Sequence, residues 1–507
     1  MAGNGVLLLG LDVGTSGAKA CIFDSEGRHL GSGRSAYQPS APKPGWAECD
    51  PELWWRGVVA ALRGACDDAG VSSADIGCVG LGVLFPAVMP LDENGRALYP
   101  AILYCDQRST TQVSQLEARI PEDEFLAIAG NQLVPGTCAV SSIAWLRDER
   151  PDIWSNTKSI GWANTYITAR LTGEICADPS MAALSGLVDI RDPWQWSLDL
   201  CGRLGIDPAL LPRIVGSAEV VATVTESASG ESGLKVGTPV VAGAGDVPIS
   251  AVGAGAGPGM AAYVVGSTDC VSLPMSKPTD DHRWVNCAYV TKGQWLGIGT
   301  TTSTGVSVEW FVREILGTGG SAGYALMTEL AESAPPGSNG LLFTPYLQGE
   351  RTPIWDPMAR GAFTGLTAST TRADMARAVF EGTSFALKHV MDCAESVAGE
   401  PVKEIRALGG GTKNDLWNRV KADILQTSLH VLEFQEAGSF GAALLAGIGE
   451  GVYSDLAEAV KVARGVGGVR TVEPNPALAD TYRELFGIYS DVYPRTSAIN
   501  QSLGGAT

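Results

Sequence analysis

The sequence predicts a mixed α/β protein made of two related lobes that face each other across a central cleft. Short apolar runs alternate with longer segments of helical periodicity through the first half of the chain, which is the pattern of mixed α/β architecture. A strand, a turn of small residues and a second strand follow one another at 6–24, and the same arrangement returns at 261–273. One such hairpin in each half indicates two lobes of similar construction.

Length and composition restrict the classes of function. The 507 residues are enough for two or three domains, and 45% hydrophobic with 18% charged residues indicates a well-packed globular protein. The net charge of −19 argues against a nucleic-acid or membrane partner, because both attract basic surfaces. A single nucleotide remains compatible, since one lysine and a metal ion are sufficient to bind its phosphates.

The cysteines and the N-terminus bear on the compartment. Eleven cysteines are dispersed without a C-x-x-C pair, and only four histidines accompany them, so neither a zinc site nor a disulfide framework is expected. The N-terminal apolar run has no basic segment before it and ends at Asp12, unlike a signal peptide or a membrane span. We therefore expect a cytoplasmic protein.

The hairpin LDVGTSGAKACIFD, at 11–24, has the parts of a phosphate site. Asp12 ends the first strand, Thr15 and Ser16 lie in the turn, and Lys19 begins the second strand. Small residues let backbone N–H groups approach an anion, and a carboxylate can hold a hydrated metal ion beside phosphates. The segment predicts the phosphate end of a nucleotide, although an ordinary glycine-turn hairpin has the same pattern.

Asp246 is the strongest candidate for a catalytic residue. It follows a strand at 239–242 and the loop Gly243-Ala244-Gly245, and it opens a helix with Pro248 in the first turn. Ligands of α/β proteins bind at the carboxyl ends of strands, where a carboxylate can take a proton from a hydroxyl that attacks phosphorus. An aspartate that only caps the helix is the alternative.

Later segments are individually ambiguous. A strand at the start of 405–429 runs into the glycines 409–411 and then a helix, which favours a planar or anionic ligand or else a loop that only needs positive φ. The Pro- and Gly-rich segment 346–365 holds Glu350, Arg351, Asp356 and Arg360, which lie either against a substrate or in a solvated or interlobe ion-pair loop. A helix is predicted over Glu381–Val390, with its acidic first residue at the helix N-terminus.

In order, these segments resemble the FGGY family of carbohydrate kinases, within the actin-like ATPase superfamily, from roughly residue 6 to 489. The matching markers are D-x-G-T-S-x-x-K at 12–19, GWAECDPELWW at 45–55, Asp106 and Arg108 after a strand, Gly245-Asp246, Gly266-Ser267-Thr268, QGERTP at 348–353, Gly409–Gly411 and GSFGAALLAG at 438–447. The resemblance implies two ribonuclease-H-like lobes: 1–253 with the sugar pocket and the catalytic aspartate, and 254–490 with the adenine-nucleotide site. Residues 491–507 would form a tail, and 253–259 the hinge.

The resemblance also implies residue roles. Asp246 corresponds to the catalytic base and Asp12 to the acid that works with Mg²⁺, so both are candidate catalytic residues and metal ligands. The implied ATP contacts are Thr15, Ser16, Lys19, Ser267, Thr268, Gly305, Gly410, Gly411 and Asn414. The implied sugar pocket contains Leu84, Phe85, Tyr104, Asp106 and Arg108 together with Asp246.

The resemblance implies ATP- and Mg²⁺-dependent phosphorylation of a small sugar. Within the family the chain is most similar to xylulokinase-type members, so the expected substrate is a ketopentose such as xylulose. Xylulokinases carry Gln-Met-His where this chain has Leu84, Phe85 and Pro86, and Val247 follows the base where asparagine is common. Because a pocket that loses hydrogen-bonding groups loses discrimination for hydroxyls, an apolar wall implies a changed or relaxed substrate.

Three alternatives stay open. The chain could encode a kinase for a polyol or another sugar, of the glycerol, erythritol or ribulose type. It could also encode a non-sugar ATPase of the actin-like superfamily that acts through protein partners, or a sugar-binding regulator without catalysis. A homodimer is the expected assembly, because two-fold dimers are the commonest oligomers.

Overall fold

The computed structural model describes residues 5–504, which divide into two compact units. The first unit contains the chain up to Ala256 together with Pro274–Leu296 and Glu436–Val466, and the second contains the remainder. The first boundary, after Ala256, falls inside the glycine-rich run 253–259 that the sequence indicated as a hinge. The structure differs from a single division after residue 253, because two later segments pack with the first unit.

The strands and helices account for most of the chain. The strands are β1 Leu7–Val13, β2 Gly17–Phe23, β3 His29–Ala36, β4 Glu48–Cys49, β5 Ile76–Val83, β6 Ala87–Leu91, β7 Ala101–Leu103, β8 Ser159–Gly161, β9 Cys176–Ala177, β10 Arg213–Ile214, β11 Val220–Thr223, β12 Pro239–Val241, β13 Ala244–Gly245, β14 Met260–Val265, β15 Asp269–Met275, β16 Val285–Ala288, β17 Trp295–Thr300, β18 Leu342–Thr344, β19 Ala362–Thr364, β20 Glu404–Leu408, β21 Leu429–Leu432 and β22 Val469–Val472. The helices are α1 Pro51–Ala69, α2 Thr110–Glu117, α3 Glu122–Ala129, α4 Ala139–Glu149, α5 Pro151–Trp154, α6 Ala163–Thr172, α7 Pro179–Ala183, α8 Leu198–Leu204, α9 Glu226–Ser232, α10 Asp246–Gly253, α11 Thr304–Trp310, α12 Gly320–Ser333, α13 Arg372–Ala398, α14 Asp415–Leu425, α15 Ala437–Gly449, α16 Leu456–Gly465 and α17 Ala479–Gly504.

A mixed sheet forms the centre of the first unit, with the strand order β11-β12-β5-β1-β2-β3. Strands β1, β5 and β12 run parallel, whereas β2 is antiparallel to both β1 and β3. The short strand β13 also pairs in parallel with β5. Because the carboxyl ends of parallel strands meet at one edge of a sheet, the residues that follow β1, β5 and β13 lie close together.

The second unit repeats this strand order. The complete sheet has the order β16-β17-β15-β14-β20-β21-β22, and the repeat extends from β17 to β22. Strands β14, β20 and β21 are parallel, and β15 is antiparallel to β14. The outer strand β22 is antiparallel to β21, just as β11 is antiparallel to β12. The predicted class, a mixed α/β protein of two related units, is therefore confirmed.

Helix α15 packs directly against the backbone of the first sheet and of a neighbouring helix. A Cβ atom on Gly10 of β1 would overlap the carbonyl oxygen of Ser439, and one on Gly441 would overlap the carbonyl oxygen of Ile249 in α10. Glycine at both positions allows the close approach. This explains why small residues dominate 438–447, and why a segment late in the chain belongs to the first unit.

Two helices differ from the sequence-based expectations. Helix α13 begins nine residues before Glu381, so the predicted start at that residue is wrong. The carboxylate of Glu381 is buried; it forms an ion pair with Arg377 at 2.9 Å and accepts a hydrogen bond from the hydroxyl of Tyr482 at 2.8 Å. Helix α17 continues to Gly504 through most of the expected tail, whose last three residues, 505–507, lie outside the described residues.

Among residues 5–504, no helix is both long enough and apolar enough to cross a membrane.

Candidate active site

Two carboxylates meet at the carboxyl edge of the first sheet. In the strand register, Asp12 of β1 lies beside Gly82 of β5, which lies beside Ala244 of β13. One residue past the end of β13, Asp246 begins helix α10. The structure therefore brings together the two acids that the sequence singled out, and both are half-buried.

The surroundings of Asp246 and Asp12 raise the pKa values of both carboxyl groups toward 7. Burial and the nearby charge of Asp12 together raise the pKa of Asp246 to about 7, while the backbone N–H of Val247 opposes the shift. Burial raises the pKa of Asp12 to about 6, against the opposing charge of Lys19. A buried acid beside a second acid has the proton affinity that a general base needs near pH 7.

Lys19 faces Asp12 across the β1–β2 pair. It forms an ion pair of 3.2 Å with Glu436, which also pairs with Arg34. No motif in the sequence pointed to Glu436. The only signal available was an acid directly before the small-residue run of α15.

The turn between β1 and β2 is closed by the backbone N–H of Gly14, which donates to the carbonyl oxygen of Gly17 at 2.9 Å. The hydroxyl of Tyr37 donates to the carbonyl oxygen of Gly14 at 2.7 Å. These bonds hold the turn so that Ser16 is exposed and Thr15 half-buried, beside the carboxylate edge.

The donor atoms at this edge fit a hard divalent cation. Asp12 and Asp246 supply carboxylate oxygens, the ligands that Mg²⁺ prefers, and Mg²⁺ commonly uses one or two carboxylates together with water and substrate phosphates. Within the described residues, no group of three or more His, Cys, Asp or Glu side chains could hold a metal ion. The residues present therefore fit Mg²⁺ bound jointly by protein and phosphate, and they do not form a complete protein cage.

Phe85 is the apolar neighbour of the catalytic candidate. Its ring lies against Gly245, where a Cβ atom would be 2.7 Å from the ring Cγ, and it is half-buried. Leu84 is 1% exposed and belongs to the hydrophobic core. Of these two predicted pocket residues, only Phe85 therefore presents part of its side chain outside the core.

Asp106 and Arg108 form a buried ion cluster rather than an open polar surface. Arg108 binds Asp106 at 2.8 Å and Glu48 at 2.6 Å, and its guanidinium lies 3.7 Å from the centroid of the Trp46 ring. Asp106 also accepts the backbone N–H of Ala47 at 2.5 Å. These contacts hold the segment 45–48 against the residues after β7, which is a structural role that the sequence did not indicate.

Tyr104 directly follows β7, two residues before this cluster, and is half-buried. A Cβ atom on Gly136 would lie 2.6 Å from its carbonyl oxygen, so a glycine with φ of 70° lets another loop pass close to it.

A pocket of about 890 Å³ lies within the second unit. Five of the residues predicted to contact a nucleotide line it: Ser267, Gly305, Gly410, Gly411 and Asn414. Thr268 is exposed in the same turn as Ser267 but does not line the pocket. Helix α12 and the start of α14 supply most of the remaining wall.

Gly305 fits closely beneath the turn between β14 and β15. A Cβ atom on it would overlap the carbonyl oxygen of Gly266, so the first turn of α11 could not approach with a larger residue. The backbone N–H of Val306 donates to the carbonyl oxygen of Ser267 at 3.1 Å. The two hydroxyl residues of the turn are exposed as a result.

Asn414 connects two walls of the pocket. Its side-chain oxygen accepts the backbone N–H of Trp417 at 2.9 Å and so caps helix α14, while its amide donates to the hydroxyl of Thr328 on α12 at 2.8 Å. The preceding glycine turn is held by Gln435, which accepts the N–H of Gly409 at 2.8 Å. The predicted glycines thus form a fixed backbone surface at a helix N-terminus, where planar or anionic groups bind.

A buried charge pair lies beneath this pocket. Lys421 is fully buried, with its Nζ 3.8 Å from the centroid of the Trp417 ring, and burial lowers its pKa. Asp269 is the facing charge; burial raises its pKa, and the hydroxyl of Tyr263 donates to it at 2.5 Å. The sequence signal that was overlooked is a lysine on the apolar face of a helix.

Glu350 organises the loop that carries the QGERTP segment. It is 4% exposed, and its carboxylate accepts the backbone N–H groups of Thr302 at 2.8 Å and Arg351 at 2.7 Å. The two open interpretations were a substrate contact and an ion-paired loop. The described contacts instead make this carboxylate an anchor for backbone.

The repeated fold, the paired carboxylates and the glycine-lined pocket define a two-domain α/β phosphotransferase. Residues 7–253 match the N-terminal domain of the FGGY family of carbohydrate kinases, and residues 261–450 match its C-terminal domain. The chain belongs to the FGGY family of carbohydrate kinases, as its motifs predicted.

Curated and solved relatives extend over nearly the whole chain. It is 31% identical to a xylulose kinase of Lactococcus lactis over 98% of both chains. The solved xylulose kinase of Rhodospirillum rubrum matches with a TM-score of 0.89 and 29% identity, over 98% of this chain and 100% of that one. A gluconate kinase structure from Lactobacillus acidophilus matches with a TM-score of 0.90 and 25% identity, over 99% and 100%.

Proposed function

We propose that the protein transfers the terminal phosphoryl group of ATP to a hydroxyl of a small sugar, with a ketopentose such as xylulose as the first candidate. The observation that carries this proposal is the pairing of Asp12 and Asp246 at the carboxyl ends of neighbouring strands. Relatives named xylulose kinase that cover almost the full chain support the sugar class.

Asp246 is the proposed general base. Its carboxylate accepts the proton of the attacking hydroxyl as that oxygen forms a bond to the terminal phosphorus and the bond to the leaving diphosphate oxygen breaks. Before Mg²⁺ binds, burial and the charge of Asp12 raise its pKa to about 7, above that of an exposed aspartate.

The phosphates and the base of ATP are assigned to different groups of residues. Lys19 supplies positive charge, and the turns at Thr15–Ser16 and Ser267–Thr268 supply hydroxyl and backbone donors for phosphate oxygens. The pocket lined by Gly410, Gly411 and Asn414 would take the adenine nucleoside.

Mg²⁺ would be held by Asp12 and Asp246 together with phosphate oxygens, and when bound it neutralises charge on the transferring phosphate.

A second candidate, a polyol or a different sugar, is favoured by the apolar surface beside the base. Phe85 packs on Gly245, and Val247 follows the base, so both neighbours of Asp246 present carbon rather than hydrogen-bonding atoms. Such a surface discriminates weakly among hydroxyl patterns. A substrate that offers a C–H face to the Phe85 ring would suit this surface.

A phosphorylation panel tests the substrate. D-xylulose, L-xylulose, ribulose, gluconate, glycerol, erythritol and deoxyketoses are each offered with ATP and Mg²⁺, and ADP release is measured. We expect one ketopentose to give the highest kcat/KM and deoxyketoses to remain substrates. ATP hydrolysis that no compound stimulates would favour a non-sugar ATPase, and sugar binding without ADP release would favour a regulator.

Asp246→Asn tests the base. The variant retains size and polarity but loses most of its basicity, so we expect kcat to fall by at least about 10²-fold. Asp199→Asn is the matched control, because Asp199 also lies in the first turn of a helix of the first unit, with its side chain 68% exposed. Near-normal turnover of Asp246→Asn would exclude the assigned role.

A further inference from the structure

We propose that Asp178 and Ser180 are positioning residues for Asp246, acting through the backbone of Gly245. The inference rests on the proposed function, because it assigns these residues to the orientation of the proposed base. Neither residue was singled out in the sequence, where Asp178-Pro179-Ser180 has only the pattern of a helix start.

A continuous chain of hydrogen bonds connects the two aspartates. Asp178 caps helix α7, and its Oδ1 accepts the backbone N–H of Ser180 at 2.8 Å and also the hydroxyl of the same serine. The Oγ of Ser180 in turn accepts the backbone N–H of Gly245 at 2.9 Å. Gly245 is the residue directly before Asp246, so the last bond holds the Ala244–Gly245 peptide, one peptide before the one that carries the base.

The carboxylate of Asp178 determines which partner the Ser180 hydroxyl donates to and which it accepts from. A serine hydroxyl has one proton, and here that proton is donated to Asp178, so a lone pair of Oγ faces the N–H of Gly245. Without the carboxylate, the hydroxyl could rotate and present its proton toward another acceptor. Asp178 therefore keeps the Ser180 hydroxyl oriented as an acceptor for the backbone N–H of Gly245.

The residues of this hydrogen-bond series are buried away from solvent. Asp178 and Asn164 are both 0% exposed and Ser180 is 1% exposed, and the second carboxylate oxygen of Asp178 accepts the amide of Asn164 at 2.8 Å. Water cannot substitute for a missing partner without new space in the core. A lost member would leave a buried donor unpaired, and the backbone would have to move to recover a bond.

Gly245 has few other constraints. Strand β13 contains two residues, so its ladder with β5 is short, and the Phe85 ring packs on Gly245 without a directional bond. Ser180 is the side chain that adds a directional contact. Because a displacement of about 1 Å in a reacting group can reduce a rate by about 10²-fold, a small shift of this peptide is sufficient to affect turnover.

The experiment compares Ser180→Ala, which removes the acceptor, with Ser180→Thr, which retains it. Ser185→Ala is the matched control, because Ser185 is also fully buried and lies close in sequence, and its hydroxyl bonds Ala182 and Leu187 instead of Gly245. Asp178→Asn is the milder test. Its amide could be accommodated by rotation of Asn164, whose Oδ1 has no hydrogen-bond partner within the described residues.

Two readouts are measured: kcat and KM for sugar and ATP, and amide hydrogen exchange of peptides covering 240–252. For Ser180→Ala we expect faster exchange at Gly245, a fall in kcat of about 10-fold or more, and a KM for ATP within about twofold of wild type. Ser180→Thr is expected to restore both readouts, and Asp178→Asn to give a smaller change in the same direction. Ser185→Ala should leave exchange in 240–252 unchanged.

Unchanged exchange at Gly245 in Ser180→Ala would overturn the proposal. So would faster exchange with an unchanged kcat, or a loss of kcat no larger than that of Ser185→Ala. If the wild-type protein phosphorylates no compound of the panel, the proposed function fails, and the exchange measurement still decides whether Ser180 holds Gly245.

Discussion

At the scale of single residues, two buried acids in this protein accept hydrogen bonds from backbone N–H groups and so fix the local backbone. Glu350 binds two backbone N–H groups, and Asp178 binds the start of α7. Burial raises the pKa of Glu350 from its ordinary 4.5 to about 7, and the bonded N–H groups only partly offset this. A carboxylate that anchors a loop therefore makes the stability depend on pH.

The sign of this dependence follows from the raised pKa. Between pH 4.5 and 7 the unfolded chain loses the Glu350 proton more readily than the folded protein, so the free energy of unfolding falls as pH rises through this window. Relative to Glu350→Gln, which cannot titrate, we expect the wild type to lose about 2 kcal/mol between pH 5.5 and 7.5. Urea unfolding of both proteins measures this, and parallel pH curves would contradict it.

Lys421 is a buried basic residue, and its charge is compensated by a neighbouring acid. Its ammonium group lies over an aromatic ring that lines the pocket, and Asp269 supplies the compensating charge. Removal of either partner alone from a buried pair leaves an uncompensated charge, which is far more destabilising than replacement of both. The pair therefore supports Trp417 from below, without contact with the pocket itself.

At the scale of elements, the packing of α15 depends on residues without side chains. Gly441 contacts the backbone of α10, and Gly10 and Gly80 of the sheet contact the backbone of α15. Helix α15 approaches this closely through its small residues, while its larger side chains Phe440, Leu444 and Leu445 are also buried. It brings its N-terminus to the carboxylate edge, where a Cβ atom on Gly438 would lie 2.7 Å from Oδ2 of Asp12.

Gly441→Ala tests this packing. The new methyl group would overlap the carbonyl oxygen of Ile249 in α10, so α15 and α10 must separate, and we expect a loss of about 1–3 kcal/mol in the free energy of unfolding. Gly202→Ala in α8 is the control: its Cβ atom would meet no atom within 4 Å, and the higher helix propensity of alanine should stabilise it by up to about 1 kcal/mol. Equal effects of the two substitutions, measured by denaturant unfolding, would argue against close packing.

At the scale of the whole molecule, one strand order occurs twice with different contents. The first unit places two acids at the carboxyl ends of its parallel strands, and the second places a glycine turn and a pocket after β20. Ligand binding to the second unit can therefore be tested by itself.

Gly410→Leu tests nucleotide binding in that pocket. A Cβ atom on Gly410 would meet no protein atom within 4 Å, so the side chain fills the pocket without straining the fold, and stability without ligand should stay within about 0.5 kcal/mol. ADP at 100 times its Kd should stabilise the wild type by about 2.7 kcal/mol and the variant far less. Gly202→Leu, also in open space, should retain the full effect; equal protection of all three proteins by ADP would place the nucleotide elsewhere.

The local motifs carried the information that sequence alone could supply. The hairpin at 11–24, the strand–Asp246–helix unit and the turn at 409–411 are contiguous segments, so their motifs pointed to the family and to the two groups of candidate residues. The alternation of apolar runs with helical segments predicted the α/β class. Such segments fold into turns and caps by short-range sterics and hydrogen bonding, which the residue order determines.

Contacts between distant segments required the tertiary structure. Burial decided that Arg108 would bind Asp106 and Glu48, and that Leu84 would join the core. Close backbone packing decided that α15 would join the first unit. The hydrogen bond between Ser180 and Gly245 connects residues 65 positions apart, and no local pattern specifies which buried donor finds which acceptor.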